Sequence, residues 1–165
     1  MTLHAPLLRK VTVGDAVSVG APLLVGTIGG IATVGSLNGW YRTLQKPAWN
    51  PPDAVFGPVW TTLYLLMGIG LALARRAAPD ARRGRVESVF ALQLALNLSW
   101  SFAFFSARSP AAGVAVILLL WASIVATIME FGRVRRLAAL LLVPYLAWVT
   151  FATVLNVEVW RRNPR

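Results

Sequence analysis

Residues 40–64 read W-Y-R-T-L-Q-K-P-A-W-N-P-P-D-A-V-F-G-P-V-W-T-T-L-Y, and they join two long apolar runs. Three of the seven Trp and four of the 10 Pro fall in this stretch, so its conformation and its chemistry are both unusual. Pro47, Pro51 and Pro52 fix their own φ and donate no amide hydrogen, which predicts a stiff, non-helical connector from Lys46 to Asp53. Pro58 falls near the start of the following run, where a first-turn proline is tolerated. A connector needing only length would use Gly and Ser. A rigid one carrying large aromatics suits a lid, built here from Trp40, Lys46, Pro47, Trp49, Pro51 and Pro52. The same aromatics also suit an interfacial belt at the headgroup level of a bilayer.

Outward from this stretch the chain is apolar. Of its 165 residues 57% are hydrophobic and only 13% charged, with mean hydropathy +0.64. A soluble domain carries about twice that charge. Uncharged or nearly uncharged runs cover Ala16–Tyr41, Ala54–Ala74, Ser88–Ala107, Ala111–Met129 and Leu137–Val157. Each is near the roughly 20 residues a helix needs to cross a bilayer. The alternating segments of about 10 residues that build a barrel are absent. The expectation is an all-α integral membrane protein, a bundle of five transmembrane helices at about 16–38, 54–75, 88–107, 111–130 and 137–160. Tails at 1–15 and 161–165 flank a single domain over 16–160. The first run is too long for a signal peptide and reads as a retained span. Ala77–Glu87 and Glu130–Arg136 read as polar loops.

The net charge of +10 raises the question of nucleic acid. The basic residues sit in short clusters between apolar runs and form no aromatic-studded basic face, so membrane orientation accounts for them and no nucleic-acid partner is expected. Ten of the 16 Lys and Arg fall on the N-terminal side of the bundle, which places the N-terminus inside and the Trp40–Tyr64 loop outside.

Other chemistries are excluded residue by residue. There is no Cys, and the one His, His4, lies in the N-terminal tail. Thiolate or imidazole metal sites and Cys or His catalysis are thereby absent, and no metal or required cofactor is expected. No Asp, Glu, Lys or Arg occupies the middle of a span, which argues against an ion-coupled pump.

The spans carry neutral polar and aromatic residues instead. Trp60, Tyr64 and Met67 share one face of the second helix. Gln93, Asn97, Trp100 and Phe104 share a face of the third, and Tyr145, Trp148, Ala152 and Leu155 a face of the fifth. Amides are costly against lipid, so these faces turn inward. One outcome is ordinary packing, with Gln93, Asn97 and Asn156 as interhelical hydrogen-bonding groups. The other is a pocket walled by Trp60, Trp100 and Trp148 with Gln93 and Asn97 as polar fixtures, suited to a flat apolar molecule. Arg42 and Lys46 would meet carboxylates at its mouth. The first helix has GxxxG spacing at Gly26/Gly30 and Gly35/Gly39, which favours close helix approach within the monomer or between copies.

Four segments resemble the TspO/MBR family, the tryptophan-rich sensory proteins that include the mitochondrial translocator protein. They are W-Y-x-x-L-x-K-P-x-W-x-P-P over 40–52, G-P-V-W-x-x-L-Y-x-x-M-G over 57–68, Q-L-A-L-N-x-x-W over 93–100, and P-Y-L-A-W-x-x-F-A-T-x-L-N over 144–156. The resemblance implies a five-helix bundle, commonly a homodimer, that binds protoporphyrin IX, haem and isoquinoline or benzodiazepine-type ligands. By position it implies a pocket at Gly30, Thr33, Phe56, Gly57, Val59, Trp60, Trp100, Ala152 and Leu155. It links Trp60 and Trp148 to light-dependent porphyrin breakdown, which makes them the only candidate catalytic residues.

The expected function is therefore tetrapyrrole sensing, sequestration or transport. The alternatives are a photochemical porphyrin-degrading enzyme and a passive facilitator of lipid or porphyrin movement. Membrane lipid and a second copy of the chain are the other expected partners. The family's sterol motif has a Tyr where this chain has Val157, so the motif is incomplete at that place. An Arg-rich, Lys-poor composition fits a bacterial cell envelope.

Overall fold

The computed structural model describes residues 11–37 and 39–164. Seven α-helices follow one another, with no strand among the described residues: α1 (Val13–Leu37), α2 (Trp40–Thr43), α3 (Asp53–Ala77), α4 (Asp80–Ser101), α5 (Pro110–Gly132), α6 (Arg136–Leu140) and α7 (Val143–Arg162). A π-helical turn, Phe102–Ser106, continues α4, and α6 leads directly into α7. This makes five segments long and apolar enough to cross a membrane. At 25 residues, α1 and α3 are each about 37 Å long, more than the hydrocarbon thickness. The outward faces of the spans are apolar, with Leu24 and Ile31 of α1, Leu119 of α5 and Val154 of α7 more than half exposed, as a lipid-facing surface requires.

Consecutive spans run antiparallel because their connections are short. α1 lies against α3 and α4, α5 against α4 and α7, and α6 returns to α3 and α5. Met67, Ile124 and Tyr145 are fully buried where the spans meet. Gly68 sets the closest approach of α1 and α3: a Cβ there would stand 2.6 Å from the Val19 Cα. The sequence places its GxxxG pairs on α1, but this contact is made by a glycine of α3.

Three boundaries differ from the sequence expectation. The third span starts at Asp80 rather than near Ser88, so most of the stretch read as a polar loop is helix. Hydropathy marks where the bilayer ends, not where the helix does. Arg and Glu are good helix formers, and Asp80 in the first turn favours the helix N-terminus. Pro58 is the sixth residue of α3 rather than a first-turn residue, because α3 already begins at Asp53, directly after extended Pro52. Trp40–Thr43 forms a helical turn of its own before the connector. Residues 44–52 carry no helix, as the prolines dictate. Most of the N-terminal tail, residues 1–10, lies outside the described residues.

Ion pairs tie together the end of the bundle where α1 starts. Arg75 pairs with Glu87 at 2.7 Å, and its guanidinium also donates to the Gly14 carbonyl and the Ser18 hydroxyl, both at 2.9 Å. Arg76 pairs with Asp15. Glu130, only 2% exposed in the last turns of α5, receives Arg133 at 2.7 Å and Arg82 and Arg85 at 3.2 Å each. The helix dipole disfavours a carboxylate near a C-terminus, so these arginines are what hold Glu130 there.

Candidate ligand-binding site

The opposite half of the bundle contains a cavity of about 530 Å³ between α1, α3 and the end of α4. Its inner limit is set by Tyr64. The Tyr64 hydroxyl donates to Asn97 Oδ1 at 2.6 Å, and Asn97 Nδ2 donates to the Tyr145 hydroxyl at 3.0 Å. A buried Asn with both ends engaged fixes the ring that it holds. The ring fits only because Gly26 faces it: a Cβ on residue 26 would overlap the Tyr64 ring. GxxxG spacing here therefore makes room for an aromatic side chain. Further along α1, a Cβ on Gly30 would meet nothing within 4 Å, and the helix wall opens onto the cavity.

The aromatic wall is a stack. Trp60 lies 5.6 Å from Tyr64 at 29° and 6.4 Å from Trp100 at 31°. Trp100 in turn stacks on Phe104 at 5.8 Å and 28°. The Trp100 indole donates to Asn156 Oδ1 at 3.0 Å, and Asn156 Nδ2 donates to the Pro110 carbonyl at 2.9 Å. The indole N–H is thus engaged, which fixes the ring where it lines the cavity. Phe105 reaches the cavity as well, because the π-helical turn adds a residue to the turn and brings both Phe104 and Phe105 inward. Ser36 of α1 donates to the Phe105 carbonyl at 2.8 Å, fastening α1 to that turn.

Polar groups on the wall are few and mostly engaged. Thr27, Thr33 and Thr61 each donate their hydroxyl to the carbonyl four residues earlier. Their oxygens remain as acceptors. Asp53 is the charged residue on the lining. Tyr41 closes the loop end and donates to Asn50 Oδ1 at 3.3 Å. Its burial, together with the nearby Asp53 carboxylate, pushes its phenol up to about 12, so it is neutral at physiological pH. Lys46 donates to the Tyr41 carbonyl at 2.9 Å and sits 4.2 Å over the Tyr41 ring. Arg42 is exposed. Neither cation is on the lining, where sequence reasoning placed them at the mouth.

Of the expected pocket residues, Gly30, Thr33, Phe56, Gly57, Trp60 and Trp100 line this cavity. The others stand behind it. Val59 packs against the core, and Gln93 is fully buried beside Met67. Asn97 positions Tyr64. Trp148 meets the edge of Phe56 at 5.8 Å, and its buried indole N–H has no protein partner. Ala152 is buried in the main core, and Leu155 packs with Tyr41, Phe104 and Phe105. In the loop, Trp40 lies against Phe104 and Trp49 against Phe151, both at 5.8 Å. Pro47 is buried, Pro51 partly so, and Pro52 exposed, and none of the loop prolines or tryptophans is on the lining. Among the lining residues that sequence reasoning missed are Tyr41, Asp53, Ser101 and Phe105, along with Thr27, Val34 and Thr61. The first two flank the proline connector, and that was the available signal.

The connector is fastened to the far end of the chain. Gln45 N donates to Asn163 Oδ1, and Asn163 Nδ2 donates to the Gln45 carbonyl, both at 3.0 Å. A tryptophan-lined cavity in a five-span bundle, with a proline-rich first connection, is the arrangement that the motifs imply. The TspO/MBR family model matches residues 18–161. The chain belongs to the TspO/MBR family.

It is accordingly a multi-pass membrane protein, and its relatives span bacteria and mammals. The tryptophan-rich protein TspO of Chlorobaculum tepidum is 47% identical over 150 residues, 90% of this chain and 95% of that protein. The tryptophan-rich sensory protein of Cereibacter sphaeroides is 41% identical over 138 residues, covering 82% and 85%. The translocator protein of Homo sapiens is 44% identical over 126 residues, 75% of each chain.

Proposed function

We propose that this TspO/MBR protein binds a flat, largely apolar tetrapyrrole, protoporphyrin IX or haem, and acts in its sensing or sequestration. The observation that carries the reading is the stack of Trp60, Tyr64 and Trp100 along a cavity of about 530 Å³. That volume lies within the range of small-molecule pockets, and offset ring stacking suits a planar macrocycle. Isoquinoline and benzodiazepine-type ligands have the same flat, apolar character. On this reading the protein acts in a bacterial cell envelope, which its bacterial relatives support, and acts there as a homodimer.

Titration of protoporphyrin IX into the detergent-purified protein in the dark, followed by tryptophan quenching, tests the reading. Saturable quenching is expected, with affinity about tenfold weaker in Trp60→Phe and Trp100→Phe. Non-saturating quenching, equal in all variants, means that the porphyrin partitions into the micelle, and it refutes the reading.

A second reading is photochemical breakdown of the bound porphyrin. It is favoured by the position of Trp60, whose ring is on the cavity, where it would give one electron to an excited macrocycle lying against it. Dissolved dioxygen is the oxidant that the breakdown consumes, and Tyr64 and Tyr145, within 6.2 Å of Trp60, are phenols able to re-reduce the indole. Loss of the porphyrin absorption under light but not in the dark, abolished in Trp60→Phe, distinguishes it from binding alone.

A further inference from the structure

We propose that the arginine cluster around Glu130, extended by Arg135 and Arg136, is a binding site for the phosphate headgroup of an anionic phospholipid. The charges at this end of the bundle are unequally matched. Arg75 and Arg76 each have a carboxylate of their own, Glu87 and Asp15, and Arg83 pairs with Asp80 at 3.2 Å. Arg82, Arg85 and Arg133 share the single carboxylate of Glu130. Arg135 and Arg136 have no ion pair among the described residues. Three guanidiniums thus converge on one carboxylate, and two further arginines follow Arg133 within three residues.

Glu130 itself is 2% exposed, whereas the side chains of Arg82, Arg85 and Arg133 are 47%, 68% and 49% exposed. The carboxylate gathers three guanidiniums from the start of α4 and the end of α5, and leaves much of each facing outward. A guanidinium presents five N–H donors in a fixed fork. Arg82 and Arg133 approach Glu130 through Nη1 and Arg85 through Nε, which leaves further N–H donors on side chains that are about half exposed. Converging unused forks with an excess of positive charge match a phosphate oxygen set.

The neighbourhood commits the phosphate to a lipid. Met129, Leu137 and Leu140 are 57%, 50% and 52% exposed, and they flank Arg133, Arg135 and Arg136 in the chain. Cations at the end of a span, beside an apolar lipid-facing surface, accommodate a headgroup and its acyl chains together. A soluble anion would gain nothing from those leucines.

The test compares the full-length protein in neutral detergent with added phosphatidylglycerol, phosphatidylcholine, or inorganic phosphate. Phosphatidylglycerol is expected to raise the thermal unfolding midpoint by about 4 °C more than phosphatidylcholine, with inorganic phosphate giving less than half of that. Arg135→Gln combined with Arg136→Gln disturbs no ion pair of the fold, and it is expected to remove at least half of the difference. Arg161→Gln combined with Arg162→Gln, at the other end of the bundle, is expected to leave it intact. Equal midpoints in the two lipids, or a full gain retained by the Arg135/Arg136 variant, overturns the proposal. So does an equal gain from inorganic phosphate, which would make the cluster a soluble-anion site.

Discussion

Where α1 starts, helices are joined by side chains with one geometry each: Arg75 on Gly14, Ser18 and Glu87, and three arginines on Glu130. Where α1 ends, they are joined by rings, Trp60 of α3 on Trp100 of α4 and Tyr145 of α7, and Phe56 of α3 on Trp148 of α7. The first half holds the spans together through directed, charge-assisted bonds. The second separates them by the thickness of aromatic side chains and leaves a cavity. Ring stacking tolerates sliding by fractions of an ångström, and a hydrogen-bonded guanidinium does not. One bundle therefore combines a fixed base with an adaptable pocket, and the Tyr64–Asn97–Tyr145 network marks the boundary between them.

The largest expected effect comes from breaking the base. Gly68→Leu drives a side chain into the backbone of α1 at Val19, and it should destabilise the protein by about 3 kcal/mol, read as a lower unfolding midpoint in detergent. Next is the boundary. Asn97→Leu strands the buried hydroxyls of Tyr64 and Tyr145 and should lose about 2 kcal/mol. The neighbouring Gln93→Leu should be neutral within about 0.5 kcal/mol, because the Gln93 carbonyl oxygen is already buried without a protein partner. If the two leucine variants prove equally unstable, the network is not what divides the halves.

Within the pocket the contrast is between wall and backing. Trp60→Phe should weaken porphyrin binding about tenfold and Trp148→Phe by less than about threefold, since only the first ring is on the lining. Reversed effects would move the site towards α7. The smallest effect lies outside both halves. Arg108 has φ 51° in the turn before α5, so Arg108→Gly should stabilise by about 0.5 kcal/mol and leave binding unchanged.

The five spans were legible because a bilayer imposes long uncharged runs, and Trp60 and Trp100 were legible because costly or bulky side chains on one face must turn inward. What was not legible is which neighbour a face meets. Trp148, Ala152 and Leu155 do share the inward side of α7, but Phe56 and the α4 aromatics stand between them and the cavity. Periodicity reports a shared face and carries no information about depth. The π-helical turn has no recognisable signature in F-A-F-F-S, so the arrival of Phe105 beside Phe104 could not be read. Lys46 looked like a partner for an anionic ligand because sequence shows a charge and not what already occupies it.

The pair of hydrogen bonds between Gln45 and Asn163 spans 118 positions of the chain. A protein made from its N-terminus inserts α1 and α3 long before Asn163 exists. The connector between Tyr41 and Asp53 can pack Trp49 on Phe151 earlier, but it gains this pair of hydrogen bonds only when the end of α7 is synthesised. The last fastening of this loop is thus reserved for a finished chain, and loss of only the last few residues would leave a bundle whose connector is held to α7 by the Trp49–Phe151 contact without these two bonds.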